Sequence, residues 1–303
     1  MLTAVGKDRP GLVAMVSGVL SRFHVNILKT RASTIFNDLF IMIMVVDTAH
    51  STIRNEDLIN ILKRSCDTVG LALAVERGES YRCGKKVIVF DLDGTLIDQE
   101  IIEELAKAAG VESEVKKITS MAMEGKIDFL QALKERVRLL KGLPEERMED
   151  VKDRITILPC VKDLMRRLKD LGFKIGIVTG GFDFVANYVG EEIGADYVFS
   201  NHLVVKDGVL TGEFTGEMVG AEAKLNAIKK IAQDVKVGLE SCVAVGDGAN
   251  DLFMIERVGL GVGFKPKMVV KERAPALINT EDLNVLLALI GCIDLKKDVV
   301  SRI

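Results

Sequence analysis

The sequence is poor in the side chains that build disulfide frameworks and histidine-based metal centres. Its five cysteines are scattered along 303 residues and never form a close pair: Cys66, Cys83, Cys160, Cys242 and Cys292. That spacing excludes a zinc ribbon and argues against a disulfide scaffold, so we expect reduced thiols in the core. The three histidines are equally dispersed, at His24, His50 and His202. We therefore expect the chemistry of this chain to rest on other side chains.

The chain also lacks an excess of charge and a long apolar run. Its 41 basic and 44 acidic residues leave a net charge of -3, without a block of like charge. We therefore expect that neither nucleic acid nor an anionic membrane is a partner. The start MLTAVGKDRPGL lacks the regions of a signal peptide, and no later stretch is long enough to span a bilayer. We expect a globular cytoplasmic protein.

The first eighty residues predict a small separate domain. The predicted elements are a strand at 2–5, a helix from Leu12, strands at 25–36 and 39–46, a helix at 55–68 and a strand at 71–75. Asn37 and Asp38 predict the hairpin turn between the two middle strands. The order βαββαβ predicts a ferredoxin-like unit, one sheet with two helices on one face, over residues 1–80.

From Gly84 onward the pattern changes to strands that alternate with helices, which predicts an α/β domain with a parallel sheet over 84–303. The predicted strands are 87–90, 174–178, 196–199, 242–245 and 260–262, with a hairpin at 203–211. Residues 98–157 are too long for a simple crossover and show helical apolar spacing, so we interpret them as an inserted helical cap. The core would then comprise 84–97 and 158–303.

Carboxylates follow the predicted strands where the ends of parallel strands meet. They are Asp91 and Asp93 after the first strand and Asp247 and Asp251 after a later one. Acids that converge at one sheet edge repel each other unless a cation lies among them. Magnesium prefers oxygen ligands and is usually completed by substrate phosphate, so we predict Mg²⁺ at these four residues.

The same edge carries groups suited to a phosphoryl group. Thr179, the backbone of Gly180 and the ammonium of Lys224 supply hydrogen-bond donors and positive charge. Asp91 would then attack phosphorus as a nucleophile and form an aspartyl phosphate. Asp93 would protonate the leaving alkoxide and later activate water.

The set DLDGT, VTGG, Lys224 and GDGAND resembles, in order and spacing, the four motifs of the haloacid dehalogenase superfamily of phosphohydrolases. The match spans about 84 to 290. It implies a Rossmann-like core with a helical cap, and it extends the substrate-binding set to Gly180, Gly181, Lys224 and Asn250.

The cap carries Glu100, the run Met123-Glu124-Gly125-Lys126, Phe129 and Arg136, and the stretches VTGGFD and NHLVVKDGVLTGEFTG follow it. In this layout the chain resembles, within that superfamily, the phosphoserine phosphatases. The resemblance implies O-phospho-L-serine as the substrate and L-serine as the product, in the last step of serine biosynthesis. Glu100 would bind the substrate ammonium and Arg136 its carboxylate, with Met123 and Phe129 as an apolar lid. Alternatively, Glu100 is an ordinary first-turn acid, Arg136 a solvated cation, and the two apolar residues plain core.

The N-terminal unit, with GKDRPGLVA after its first strand, resembles an ACT domain, a regulatory module that binds amino acids. The resemblance implies a homodimer and a ligand that is often held across the dimer contact, with L-serine as the natural effector. The implied ligand residues are Asp8, Arg9, Pro10, Gly11, Leu12 and Asn26. Alternatively, Pro10 and Gly11 form only a turn and Asn26 only caps a strand.

Two other functions remain open from the sequence. The first is a phosphotransferase, or a phosphatase of another small phosphate ester. The second is an amino-acid sensor with a vestigial phosphatase half. Its signature would be the loss of Asp91, Asp93, Lys224 or Asp251, and none of them is lost.

Overall fold

The computed structural model describes residues 1–35, 39–76, 84–123, 126–218, 220 and 222–291. The predicted hairpin turn at Asn37 and Asp38, and the predicted boundary between residues 80 and 84, fall largely outside these ranges. The side chains of Ile35 and Met123 are also outside the description.

The N-terminal part forms the predicted βαββαβ unit. Its elements are β1 (Leu2–Lys7), α1 (Leu12–Arg22), β2 (Asn26–Ile35), β3 (Leu39–Asp47), α2 (Asn55–Thr68) and β4 (Ala72–Val75). Apolar residues on one stripe of α1 are buried, namely Leu12, Val16 and Leu20, and this stripe packs on the sheet. The strand order β2-β3-β1-β4 places β2 at the outer edge.

A helical cap follows the first strand of the second part. The elements are β5 (Val87–Phe90), α3 (Ile101–Ala109), α4 (Glu112–Met123), α5 (Phe129–Leu139) and α6 (Glu146–Lys152). All four residues of β5 are completely buried. Burial on both faces is typical of a parallel strand that helices cover on both sides, which explains its unbroken apolar sequence.

The rest of the chain builds the sheet around β5. The elements are α7 (Val161–Asp170), β6 (Lys174–Phe182), α8 (Asp183–Ile193), β7 (Tyr197–Lys206), β8 (Val209–Thr215), α9 (Ala223–Val235), β9 (Cys242–Gly246), α10 (Leu252–Ile255), β10 (Leu260–Phe264), α11 (Met268–Arg273), β11 (Ala276–Ile278) and α12 (Val285–Leu289). Strand β5 pairs in parallel with β6 and β9, so their carboxyl ends lie at one edge. The α/β fold class predicted from the sequence is confirmed.

The two halves share one sheet, which the sequence did not predict. Strand β4 pairs antiparallel with β11, with Ala74 opposite Ala276 and Leu73 opposite Leu277. The described strands therefore form an eleven-stranded sheet in the order β2-β3-β1-β4-β11-β10-β9-β5-β6-β7-β8. Beside this junction, Asp67 of α2 accepts hydrogen bonds from Lys271 Nζ and, at 2.6 Å, from Asn279 Nδ2. Main-chain and side-chain contacts thus join the halves.

Strand β6 is longer than predicted. It continues through Thr179, Gly180 and Gly181 to Phe182, and α8 begins only at Asp183. The predicted end of this strand at residue 178 is therefore wrong, because residues 179–182 remain extended. Within the described ranges, no helix combines the length and the apolar character that crossing a bilayer requires.

Candidate active site

A buried ion cluster lies at the carboxyl ends of β5 and β9. Asp91 follows β5, and its Oδ1 lies 2.7 Å from Lys224 Nζ. Lys224, in the first turn of α9, also donates to Asp251 Oδ1 at 2.6 Å. The three side chains are at most 5% exposed. Burial, and next the charge of Asp251, raise the pKa of Asp91 well above its usual value, against the opposing effect of Lys224. One ammonium thus partly balances two enclosed carboxyl groups.

The loop after β9 brings a third carboxylate to this cluster. Asp247 lies against Gly94, whose φ of +68° and distance of 3.1 Å from a would-be Cβ to Asp247 Oδ2 leave no room for a side chain. Oxygen atoms of Asp91, Asp247 and Asp251 lie within 4.8 Å of one another. A donor set made only of carboxylate oxygen fits a hard divalent cation such as Mg²⁺.

Asp251 differs from the other acids, because protein donors already use both of its oxygens. Oδ1 receives Lys224, while Oδ2 accepts the backbone N–H groups of Asp247 and Gly248 at 3.1 and 3.0 Å. These bonds fix the loop after β9 relative to α9. The geometry therefore favours Asp91 and Asp247 as the carboxylates with capacity left for a cation, and Asp251 as the residue that holds them in place.

The Asp93 carboxyl group points toward the cap. Its Oδ2 accepts the backbone N–H of Ile101 at 3.2 Å, and its buried Oδ1 has no hydrogen-bond partner among the described residues. Burial, followed by the charge of Glu100, raises the pKa of Asp93 to about 7. A carboxyl group that titrates near neutrality, with one oxygen free, is suited to deliver and accept a proton.

These pKa shifts predict a pH-dependent stability of the metal-free protein. Asp93 binds its proton more tightly when folded, so its stabilising contribution is complete below the unfolded value of 3.8 and is lost as pH rises through about 7. The pKa of Asp91 is raised as well.

With EDTA present, we expect the melting temperature to be several degrees lower at about pH 8 than at about pH 5.5. Since a cation favours the ionised acids, added Mg²⁺ should raise it more at the higher pH. Equal Mg²⁺ shifts at both pH values, followed by circular dichroism, would contradict this.

The end of β6 lies opposite Asp93. Thr179 Oγ1 accepts the backbone N–H of Gly181 at 2.9 Å, and a Cβ on Gly181 would lie 3.8 Å from Asp93 Oδ2. The ring of Phe129, 37% exposed at the start of α5, lies over Gly180, where a Cβ would be 3.1 Å from Cζ. The structure therefore brings Thr179, Gly180 and Gly181 together with Asp93, and Phe129 contacts them as a cap residue rather than as core.

The predicted substrate residues of the cap lie close to this edge. Glu100 immediately precedes α3, and its negative charge acts on Asp93 and on Arg136 of α5. Burial lowers the pKa of Arg136, and the charge of Glu100 only partly opposes this. Arg136 Nε donates to the carbonyl of Ala132 at 3.2 Å. The opposite charges of Glu100 and Arg136 thus interact, as expected for a pair that binds the two ends of a zwitterion.

For two further predicted substrate residues, Asn250 and Met123, the structure gives a position in the fold. Asn250 lies beside Asp251 in the short 3₁₀ turn Ala249–Asp251, and its Oδ1 faces Gly248. Met123 ends α4, but its side chain lies outside the described part of the chain. The role of Met123 in a lid therefore stays a prediction.

The predicted effector residues do not form one site within a single chain. Asp8 accepts a hydrogen bond from Thr34 at 2.9 Å, and Arg9 donates to the carbonyl of Val69. Gly11, with φ of +90°, starts α1. Asn26, however, is at the opposite end of β2, eight residues from Thr34, which is roughly 26 Å along a strand. Within one chain Asn26 is therefore too far from the loop for one amino acid to contact both, and a site that includes it would have to form across a dimer contact, which stays a prediction.

Around that loop, Pro10 and Leu12 have different environments. Leu12 is buried in the core of the N-terminal domain, whereas Pro10 is exposed in the turn before α1. The side chain of Leu12 therefore packs in the core and anchors the loop, and it is not presented to a ligand.

Two residues at the site were not predicted from the sequence. Buried Asn201 of β7 donates to the carbonyls of Gly180 and Met218 at 3.0 and 3.3 Å, and no sequence signal distinguishes it from other polar strand residues. Lys267 lies just beyond β10, 3.1 Å from Asp247 Oδ2. The rule that ligands gather beyond the strand ends, applied to β10, could have found it.

Comparison with known proteins matches both halves. The family model described as haloacid dehalogenase-like hydrolase covers residues 88–256, more than half of the chain, and an ACT domain covers 1–76. The phosphoserine phosphatase of Methanocaldococcus jannaschii is 47% identical over 203 residues, which is 67% of this chain and 96% of the relative. That of Archaeoglobus fulgidus is 45% identical over 222 residues, 73% of this chain but only 64% of the relative's length.

Solved structures agree with these matches. A phospho-aspartyl intermediate analogue of phosphoserine phosphatase superposes with a TM-score of 0.65 and 46% identity, over 67% of this chain and 98% of its own. A hydrolase of the same superfamily from Salmonella enterica serovar Typhi reaches a TM-score of 0.81 at 27% identity, over 95% of this chain and 97% of its own, so the similarity includes both halves. The chain therefore belongs to the phosphoserine phosphatase family of the haloacid dehalogenase-like hydrolases, and it carries an N-terminal ACT domain.

Proposed function

We propose that this chain is a magnesium-dependent phosphoserine phosphatase, which hydrolyses O-phospho-L-serine to L-serine and phosphate, the last step of serine biosynthesis. One observation carries the proposal: the buried carboxyl group of Asp91 lies 2.7 Å from Lys224, and the charges of the cap residues Glu100 and Arg136 interact with the neighbouring Asp93. The first pair provides phosphoryl chemistry, and the second pair provides recognition of a zwitterionic substrate. The solved phospho-aspartyl analogue of a 46% identical relative supports an aspartyl intermediate.

The reaction would proceed in two steps, formation and hydrolysis of an aspartyl phosphate. Asp91 attacks phosphorus while Asp93 gives its proton to the departing seryl oxygen, which breaks the ester bond and forms an aspartyl phosphate. Asp93 then accepts a proton from water, which attacks the phosphoryl group and frees Asp91. Its pKa of about 7 suits both transfers. Thr179, the backbone of Gly180 and Lys224 would bind the phosphoryl oxygens.

The metal site would involve Asp91, Asp247 and, through its backbone carbonyl, Asp93. Asp251 would hold this arrangement through its bonds to Lys224 and to the loop after β9. When bound, Mg²⁺ supplies positive charge that offsets the acids and the phosphoryl oxygens.

The decisive experiment is a panel of small phosphate esters assayed with Mg²⁺, with and without L-serine. We expect O-phospho-L-serine to be hydrolysed with a far higher kcat/KM than sugar phosphates. Comparable values across the panel would reject the substrate while leaving a phosphatase. Transfer of phosphate to added homoserine would instead support a phosphotransferase.

Glu100→Gln tests the ammonium contact. Because Gln keeps the shape but loses the charge, we expect KM for O-phospho-L-serine to rise by about tenfold or more, with a smaller change in kcat. Glu112→Gln, in the first turn of the next cap helix and exposed, is the matched control and should leave KM unchanged. An unchanged KM in Glu100→Gln would remove this residue from substrate binding.

For the N-terminal domain we propose L-serine as an effector that binds near the loop of Asp8 to Leu12, in a homodimer. The loop is exposed around Pro10 and is held by the contacts of Asp8 and Arg9. Among the described strands, none pairs with the outer edge of β2, and this strand exposes 61% of Leu28, which supports pairing with a second copy. Calorimetric titration of L-serine into the full chain tests the effector, and absence of heat would leave only the dimer role.

A further inference from the structure

Lys267 connects the core to the cap beside the carboxylates of the candidate active site. It precedes α11, and its backbone N–H donates to the carbonyl of Asp247 at 2.9 Å. Its Nζ lies 3.1 Å from Asp247 Oδ2 and 3.5 Å from Glu100 Oε1. One side chain therefore contacts a residue of the proposed metal site and the residue proposed to bind the substrate ammonium.

The two carboxylates that Lys267 contacts lie on different parts of the fold. Asp247 belongs to the core loop after β9, and its side chain is only 12% exposed. Glu100 begins the cap, and its side chain is 44% exposed, so packing alone does not fix its rotamer. A lysine ammonium is a compact charge with three donors, which lets it bridge two carboxylates on separate elements.

The acidic surroundings of Glu100 explain why its carboxylate needs a cation beside it. The negative charge of Glu100 acts on the carboxyl groups of both Asp93 and Asp247, and these like charges repel it. Without a cation beside it, the exposed Glu100 side chain would turn toward solvent and away from the acids. Lys267 is the side chain within salt-bridge distance that counters this repulsion from the core side.

We propose that Lys267 is a positioning residue for this reaction: it holds the Glu100 carboxylate toward the active site and orients Asp247. The Glu100 part rests on the proposed function, whereas the Asp247 part concerns the metal site alone. Since outer contacts of metal-ligating carboxylates typically contribute tenfold or more to metal affinity, both parts have measurable consequences.

Lys267→Met is the test for the substrate. At Mg²⁺ concentrations that saturate the variant as well as the parent, we expect KM for O-phospho-L-serine to rise about tenfold with kcat changed less than about threefold. Under the same conditions kcat/KM for 3-phosphoglycerate, which lacks an ammonium group, should stay unchanged. In a Glu100→Gln background the same substitution should have no further effect on KM, because Lys267 acts through Glu100. A lowered KM, or equal losses on both esters, would overturn the proposal.

The controls use the same loop. Lys265→Met removes a neighbouring lysine that pairs with Glu281, and it should leave KM unchanged. Lys267→Arg keeps two-carboxylate bonding and should restore KM to within about threefold of the parent. If Lys267→Met does not fold, Lys267→Gln, which retains length and loses charge, provides the same comparison.

Calorimetric titration of Mg²⁺ tests the Asp247 contact without any substrate. We expect Lys267→Met to bind Mg²⁺ about tenfold more weakly than the parent and the Lys265→Met control. Unchanged or tighter binding would overturn the Asp247 part. If the parent chain does not hydrolyse O-phospho-L-serine at all, the proposed function fails, but this titration still decides the Asp247 part.

Discussion

Asp91→Asn is expected to lower kcat by about 10⁴-fold or more, since an amide cannot attack phosphorus to form an acyl phosphate. Asn preserves the volume of this buried side chain and can still accept a hydrogen bond from Lys224, so the fold should be retained. The measurement is phosphate release from O-phospho-L-serine under saturating Mg²⁺, with circular dichroism to confirm folding.

Asp98→Asn is the matched control. It makes the same chemical change seven residues along the chain, at an exposed position before the cap. We expect it to change kcat by less than about twofold. Retention of more than a few per cent of the parent activity in Asp91→Asn would show that another group attacks phosphorus, and the nucleophile assignment would have to be abandoned.

Lys224→Ala is expected to have the largest effect on stability. Its ammonium lies between Asp91 and Asp251, at 2.7 and 2.6 Å, and all three side chains are buried. Burial tends to lower the pKa of Lys224, but the two carboxylates outweigh this effect and raise it, so the lysine stays protonated. Its removal leaves two enclosed carboxylates without their cation. The free energy of unfolding should fall by about 3–5 kcal/mol in the metal-free protein.

Activity should also decrease in this variant, by about 10³-fold or more, because Lys224 would bind the phosphoryl group in the transition state. Urea denaturation with EDTA and with Mg²⁺ gives the stability, and Mg²⁺ should restore more of it in Lys224→Ala than in the parent. Lys229→Ala, exposed on the same helix, is the control and should change little. If the two variants unfold at the same urea concentration, the ion cluster does not stabilise the fold.

Local sequence predicted several elements well, because their boundaries are encoded within the elements themselves. The helix Asn55–Thr68 and the strand Val87–Phe90 agree with the predicted bounds. Amphipathic spacing defines the first, and an apolar run that ends in acids defines the second. Strand Ala276–Ile278 was missed since its three residues become a strand only by pairing with β10 and with β4, about 200 residues away in sequence.

The candidate site shows the same division. The rule of strand ends is enough to gather Asp91, Asp247 and Asp251, which the structure places together. It could not show that donors occupy both oxygens of Asp251, nor that Asn26 lies a full strand length from the loop of Asp8. Those facts depend on the orientation of side chains and on the position of residues along paired strands. The spacing of residues in the sequence does not specify either.

The pairing of β4 with β11 makes the N-terminal domain the cover of an otherwise open sheet edge. Deletion of residues 1–80 would uncover the main-chain groups of Ala276 and Leu277 along the side of an apolar strand. Exposed edges of this kind recruit strands from other molecules. A lower activity in such a truncated protein would therefore report self-association as well as the loss of an effector. Single substitutions in the loop of Asp8 to Leu12 keep the edge covered, and they separate regulation from architecture.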